Sequence, residues 1–218
     1  MLKVDLHTHS QLSPDGSLRI ADYQSMLDRG FLDYIAVTDH NTIAFALKAK
    51  EQLGDKIIVG EEITAREGEI VGLYLTATIP AGLSAAATAD LIHKQGGLVY
   101  IPHPFETVRR GLPLEALEGI ASAVDIVEVH NGRSIFQDKS SRATDWAKLY
   151  QLPGAASSDA HGRHGWGKTY SVISETPTKD KLSELLYKAT YQVGSPGVRG
   201  VLYPKVNRMK KKLRIKHV

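Results

Sequence analysis

The sequence predicts an α/β fold of parallel strand–helix units in a single domain, and three observations carry that expectation. Short apolar runs alternate with segments of helical spacing. The runs are continuously apolar, as strands are when both faces of a sheet are covered. Histidines and carboxylates recur where the runs stop, as expected if one end of a barrel gathers them.

Residues 2–6 (LKVDL) read as the first strand. Ile20, Tyr23, Met26, Leu27 and Gly30 then trace one face of a helix. Strand-like runs follow at 34–38, 57–59 and 70–75. Pro80-Ala81-Gly82 marks a turn, after which Ser84 caps an alanine-rich helix carrying Leu91 and Ile92. Gly96-Gly97 stops that helix before the run at 98–101. Another run spans 124–129, and a helix over 136–149 includes Trp146 and Leu149. The last runs are 154–157 and 170–173. Gly194, Pro196, Gly197, Gly200 and Pro204 suggest an extended loop before a basic tail. The expected division is a barrel core over 1–175, with a C-terminal helix and basic tail over 176–218 completing or flanking it.

The composition suits one well-buried domain: 218 residues, 42% hydrophobic and 23% charged. There is no cysteine, which excludes disulfides and a thiolate zinc site. No apolar run approaches the roughly 20 residues that cross a bilayer, so no membrane partner is expected. No charged and apolar leader precedes the first strand, and a cytoplasmic location is the expectation. The net charge is +3, and Arg208, Lys210, Lys211, Lys212 and Arg214 concentrate the excess near the end. That segment reads first as a solvated terminal helix or frayed tail. An arm for phosphate-rich partners, short nucleic acid included, is the alternative.

The chemistry sits in five clusters: DLHTHS (5–10), VTDHN (37–41), GEEIT (60–64), IPHPF (101–105) and SDAHG (158–162). Imidazoles and carboxylates together are ligands for zinc, manganese and iron. His7 and His9 are two apart, so on a strand they point the same way and can grip one ion. Asp15 follows in SPDG, as an oxygen ligand or as a plain turn aspartate. His40 ends the second strand, with Asp39 beside it to orient an imidazole. Glu62 ends the third, and its two oxygens can bridge a pair of cations. His103 ends another, while Asp159 and His161 share a face. His93 and His217 read as ordinary histidines, and His164 lies in a glycine-rich loop near the site.

HTHS with a downstream DG, then TDHN, GEEIT, PHPF and SDAH, together resemble the motifs of the PHP (polymerase and histidinol phosphatase) superfamily of metal-dependent phosphoesterases. The resemblance covers residues 2–174. It implies a distorted (β/α)7 barrel with two or three divalent ions, zinc, manganese or iron, at the C-terminal face. It places His7, His9, Glu62 and Asp159 around one ion and has Glu62 bridge to a second shared with His103. Asp15, His40 and His161 go to the third. Glu69 stands where many members carry a histidine; kept as a ligand, it shifts the site towards harder ions such as Mn²⁺.

VEVHNGR resembles another family strand end. Glu128 and His130 would share a face there, and Arg133 offers a guanidinium to phosphate. Arg109, Arg110, Arg163 and Lys168 are further cations in loops, with Arg133, Arg109 and Arg163 expected to bind substrate. The implied reaction is hydrolysis of a small phosphomonoester or nucleotide by a metal-bound hydroxide, with Glu62 and His161 as the catalytic side chains. No serine, cysteine or Walker-type signature suggests a covalent route. The competing readings are an amidohydrolase acting on C–N bonds and a PHP module that binds metal without turnover.

Overall fold

The apolar runs become strands, and the spaced segments become helices. The computed structural model describes residues 1–134 and 137–215. The first half comprises β1 (Leu2–Asp5), α1 (Ile20–Asp28), β2 (Tyr34–Val37), α2 (Ala44–Leu53), β3 (Ile57–Thr64), β4 (Glu69–Leu73), α3 (Ala85–Lys94) and β5 (Leu98–Ile101). The second comprises α4 (Leu114–Ile120), β6 (Ile126–Asn131), α5 (Ser140–Leu149), β7 (Gly154–Ser157), β8 (Tyr170–Ile173), α6 (Leu182–Tyr187), β9 (Thr190–Gln192) and α7 (Gly197–Ile215). Local signals behave as expected for α3: Ser84 Oγ accepts the Ala87 amide at 3.2 Å, and Gly96 takes φ of 71° beyond its end.

The strands form one sheet in the order β7-β6-β5-β4-β3-β2-β1-β8-β9. β7 returns to β1 through a parallel bridge between Thr8 and Ala160, with His9 N donating to Ala160 O at 2.8 Å. The fold is therefore a mixed α/β single domain whose sheet curls into a nearly closed barrel. Period-two alternation divides the core. Ile35, Val37, Ile57, Val59, Ile70, Val99 and Ile101 pack in the cluster that includes Tyr23, Phe45, Ala89 and Ile92 of the helices. Val4, Ala36, Ile58, Val71, Tyr100, Ile126 and Ala155 form a second cluster inside the barrel. Leu182, Leu185 and Leu186 of α6 join this inner set beside Leu2, Tyr34 and Leu98 at the strand starts. α6 thus stops the end opposite the site.

The structure departs from the expected all-parallel order at β4, which is antiparallel to both β3 and β5. β3 runs on to Thr64, leaving residues 65–68 as its link to β4. Four residues make a hairpin; a parallel connection needs a crossover of about a dozen. β8 is likewise antiparallel to β1, and β9, absent from the sequence reading, extends the edge from β8. The helix expected over 136–149 is Ser140–Leu149; Phe136 and His217 lie outside the described residues. The extended loop expected from Gly194 through Pro204 is confined to its start; from Gly197 onward the chain is helix α7. Pro204 removes the donor for the Gly200 carbonyl, and its side chain is buried. Among the described residues no helix is long and apolar enough to cross a membrane.

Candidate metal centre

Strand ends deliver the donors. Past β1, Thr8 is held by its bridge to Ala160 and by Thr38, so His7 and His9 on either side of it face the barrel mouth. Their Nε2 atoms lie 3.0 Å apart. The loop then doubles back so tightly that a Cβ on Gly16 would sit 2.1 Å from the Ser10 carbonyl, which returns Asp15 to the cluster. Beyond β2, His40 continues the pairing through a bridge to Glu62. Glu69 arrives by the hairpin: the antiparallel register sets Thr64 opposite Glu69, so the first residue of β4 stands at the end where β3 finishes. His103 and Asp159 have φ of 30° and 51°, unfavourable for residues bearing a Cβ and held by the surrounding packing.

All nine expected ligands come together, in overlapping groups whose donor atoms lie within 4.8 Å of one another. The groups are His9, Asp15, His40 and His161; His7, Glu62 and His103; His7, His9 and Asp159; and His40, Glu62 and Glu69. His9 thus also belongs beside Asp15, which the expected division left out. Glu62 splits its carboxylate between neighbours. Oε1 faces His103 Nε2 at 3.1 Å and His7 Nε2 at 3.5 Å, and Oε2 faces His40 Nδ1 at 3.0 Å and His9 Nε2 at 3.2 Å. Asp15 Oδ1 is buried without a hydrogen-bond partner, 3.4 Å from His161 Nε2 and 3.6 Å from His40 Nε2. Facing imidazole nitrogens, shared carboxylates and an orphaned oxygen fit divalent metal ions.

Partners outside this set orient the rings. His7 Nδ1 meets Glu128 Oε1 at 3.1 Å, His9 Nδ1 meets Ser13 Oγ at 3.2 Å, and His161 Nδ1 meets the Asp159 carbonyl at 2.9 Å. Each contact leaves Nε2 for the cluster. Asp39 does not orient an imidazole as expected. Its carboxylate accepts Ser10 N at 2.6 Å and Ser10 Oγ at 2.5 Å, bracing the HTHS turn.

The convergence also sets protonation. Burial alone would lower His9, but hydrogen bonds to Asp159 and Glu62 hold its imidazole at about 10. Burial, with the Glu62 charge beside it, raises Glu69 to about 9. Burial and the neighbouring His9 and Arg133 drop His161 to about 3. Burial opposes ionisation of Glu62, yet His40 and His7 hold it well below the usual carboxylate range. A divalent ion entering here competes with protons.

Comparison with known proteins bears on this geometry directly. The sequence profile of the PHP domain matches residues 5–151, and a PHP-associated profile matches residues 139–190. The chain belongs to the PHP domain family. The uncharacterized protein MJ0417 of Methanocaldococcus jannaschii is 34% identical over 184 residues, covering 80% of this chain and 71% of that protein. Among solved structures, a two-domain protein of Bacteroides vulgatus containing a predicted PHP-like metal-dependent phosphoesterase superposes with a TM-score of 0.72 at 20% identity. That match covers 88% of this chain and 64% of the other. PsfC of Pseudomonas syringae superposes at 0.69 with 17% identity, over 96% and 98% of the two chains. An amidohydrolase of Chromobacterium violaceum with bound sulfate superposes at 0.60 with 16% identity, over 90% and 99%. At these identities the structural matches speak for the fold alone.

The PHP cluster opens into a cavity of about 400 Å³. Arg109, Arg110 and Arg133 line it, together with Lys205 and Arg208 of α7. Arg109 is already engaged: its guanidinium donates to Glu106, Asn131, Ser134 and Asp159. It braces the site. Arg133 lies 3.2 Å from Asp159 Oδ2 and keeps a buried Nε without a partner. Arg163 is not among the residues around the cavity; its exposed side chain lies 3.5 Å from Asp22 on α1.

Glu128 and His130 do not share a face, because the register with β7 slips between them. Glu128 turns inward, and His130 packs edge-on against Tyr191. His164 stacks on Tyr203 of α7, and His93 pairs with Asp125 at 2.8 Å. The basic segment is helical, as the first reading had it, but it is not simply solvated. Arg208 reaches Asp15 Oδ2 at 2.6 Å, and Lys211 reaches carbonyls of the loop before Asp15.

Proposed function

We propose that this PHP chain hydrolyses a small phosphate ester, a phosphomonoester or nucleotide, using two or three divalent ions held by the nine residues. The supporting observation is a single arrangement: a bridging carboxylate, Glu62, at the floor of a 400 Å³ cavity whose wall carries Arg133. When bound, such ions activate water at neutral pH and offset phosphate charge. The residues supply the rest. Glu62 spans neighbouring groups, and Asp159 presents Oδ1 to His7 and His9 while its Oδ2 is held by Arg109. Arg133 receives a non-bridging phosphate oxygen. His161, neutral because burial lowers it, keeps a lone pair available at Nε2. The cavity suits one nucleotide-sized ester; a short nucleic acid would enter by its terminus.

The experiment is reconstitution with Mn²⁺, Zn²⁺ or Fe²⁺ followed by a panel of phosphomonoesters, phosphodiesters and amides. Phosphate release that disappears in His7→Ala and His103→Ala is the expected result. Turnover of amides alone would transfer the site to amidohydrolase chemistry. Fewer than two ions per chain with no turnover would make it an inert module.

A further inference from the structure

α7 meets the cluster at the group formed by His9, Asp15, His40 and His161. The buried Asn207 amide donates to the carbonyl of Asp15 at 2.8 Å and to that of His161 at 3.1 Å. These carbonyls belong to two loops far apart in sequence, one after β1 and one after β7. Next along the helix, Arg208 Nη2 lies 2.6 Å from Asp15 Oδ2. Asp15 Oδ1 is the oxygen left buried and unpartnered, facing His161 and His40. Lys211 Nζ ties the same helix to the Gln11 carbonyl at 2.8 Å and to that of Ser13. The seat is close: a Cβ on Gly162 would come within 2.6 Å of the Tyr203 ring.

We propose that α7 is a clamp on this four-residue group, with Arg208 and Asn207 as positioning residues for its ion. Arg208 holds one oxygen of Asp15 and so turns the other towards His40 and His161 as a single-oxygen ligand. Asn207 fixes the spacing between the Asp15 and His161 loops. The chain uses the same device elsewhere: Asp159 gives Oδ2 to Arg109 at 2.6 Å and Oδ1 to His7 and His9. A guanidinium suits the task because its planar fork stays charged at any working pH. Arg208 also draws charge from Asp15, so an inhibitory cap would make the opposite prediction: removing it would tighten ion binding. The clamp rests on the metal-centre reading but not on the reaction catalysed.

The test is calorimetric titration of the full metal-free chain with Mn²⁺ and with Co²⁺, the latter also followed by its visible absorption. Arg208→Ala and Asn207→Ala are expected to weaken one ion about 10- to 100-fold, the usual effect of losing a ligand's outer partner. The remaining ions keep wild-type affinity, and the Co²⁺ spectrum changes for the weakened one alone. Arg208→Lys recovers part of the loss. Arg199→Ala, on the exposed side of α7, behaves as wild type. Arg208→Ala binding every ion as tightly as wild type, or more tightly, overturns the clamp. A wild-type chain that takes up no ion overturns the metal centre itself, whereas intact binding without turnover leaves the clamp standing and removes only the phosphoesterase reading. Thermal melting of each variant separates lost affinity from lost folding, and a uniform loss of all ions with a lowered melting temperature counts against a local clamp.

Discussion

Glu128 Oε1 sits 3.1 Å from His7 Nδ1, with both side chains fully buried, and the contact decides which imidazole nitrogen faces the cluster. The same carboxylate accepts Tyr100 OH at 2.8 Å, His103 N at 2.7 Å and Asn131 Nδ2 at 2.8 Å. Burial opposes its charge, but His7 holds it below the usual carboxylate range. Glu128→Gln preserves the shape and removes that charge. Binding of the ion nearest His7 is expected to weaken about 10- to 100-fold, read by calorimetric titration. Unchanged affinity would mean that the His7 tautomer is set by something else.

Arg109 is a structural cross-link, and its loss should register as stability. Its guanidinium joins Glu106, Asn131, Ser134 and Asp159, drawing the loop after β5 onto the ends of β6 and β7. Arg109→Ala leaves Glu106 and Asp159 buried without this cation, which costs about 3–5 kcal/mol where a buried partner is removed. Arg109→Lys cannot reproduce the fork and should recover little. Denaturant midpoints of the metal-free chains measure both effects. A loss under about 1 kcal/mol, typical of an exposed pair, would contradict the cross-link.

Glu61 gives a pH signature of its own. Its side chain turns away from the Glu62 face; Oε2 accepts Ile79 N at 2.9 Å, while Oε1 has no partner. Burial raises its carboxyl from 4.5 to about 7. A group whose folded value is raised contributes stability below its unfolded value and loses it as pH rises through the folded one. Stability from this group is therefore complete below about pH 4.5 and lost by about pH 7. Glu61→Gln stays uncharged throughout. Relative to wild type, it should gain stability on the order of 2 kcal/mol between pH 5 and pH 8, allowing for partial solvent screening. Urea denaturation at the two pH values checks this, and a pH-independent difference would refute it.

The site was more legible than the way the chain delivers it. His7, His9, His40, His103 and Asp159 lie just past apolar runs, so strand periodicity and the motifs indicated their common face. Glu69 was harder to place because it begins a strand. It reaches that face only because β4 runs antiparallel, a consequence of the four-residue link that the short reading of β3 concealed. Glu128 was visible, but its direction depended on a bulge that no alternation rule supplies. Arg208 and Asn207 were opaque for a different reason. A terminal helix was the expected form of their segment, but helical spacing does not show that its contacts run to the loops of Asp15 and His161, since those loops are remote in sequence.

Arg133 is the cation that the proposed reaction assigns to substrate. Its main-chain N–H donates to Asn131 Oδ1 at 2.8 Å, which fixes the turn, and its guanidinium faces the cavity with Nε unpartnered. A charge-assisted bond to a phosphate oxygen contributes about 1.5–3 kcal/mol, so Arg133→Ala should raise KM for a phosphomonoester roughly 10- to 100-fold. The effect on kcat should be smaller, since the metal ligands are retained. Arg133→Lys keeps the charge without the fork and should fall between. Arg163 provides the internal control, because its exposed side chain pairs with Asp22 away from the cavity. Arg163→Ala should leave KM within about twofold of wild type, as expected for an exposed pair. Steady-state kinetics on the reconstituted chain decide the matter: equal KM changes in the two alanine variants would remove Arg133 from the substrate site.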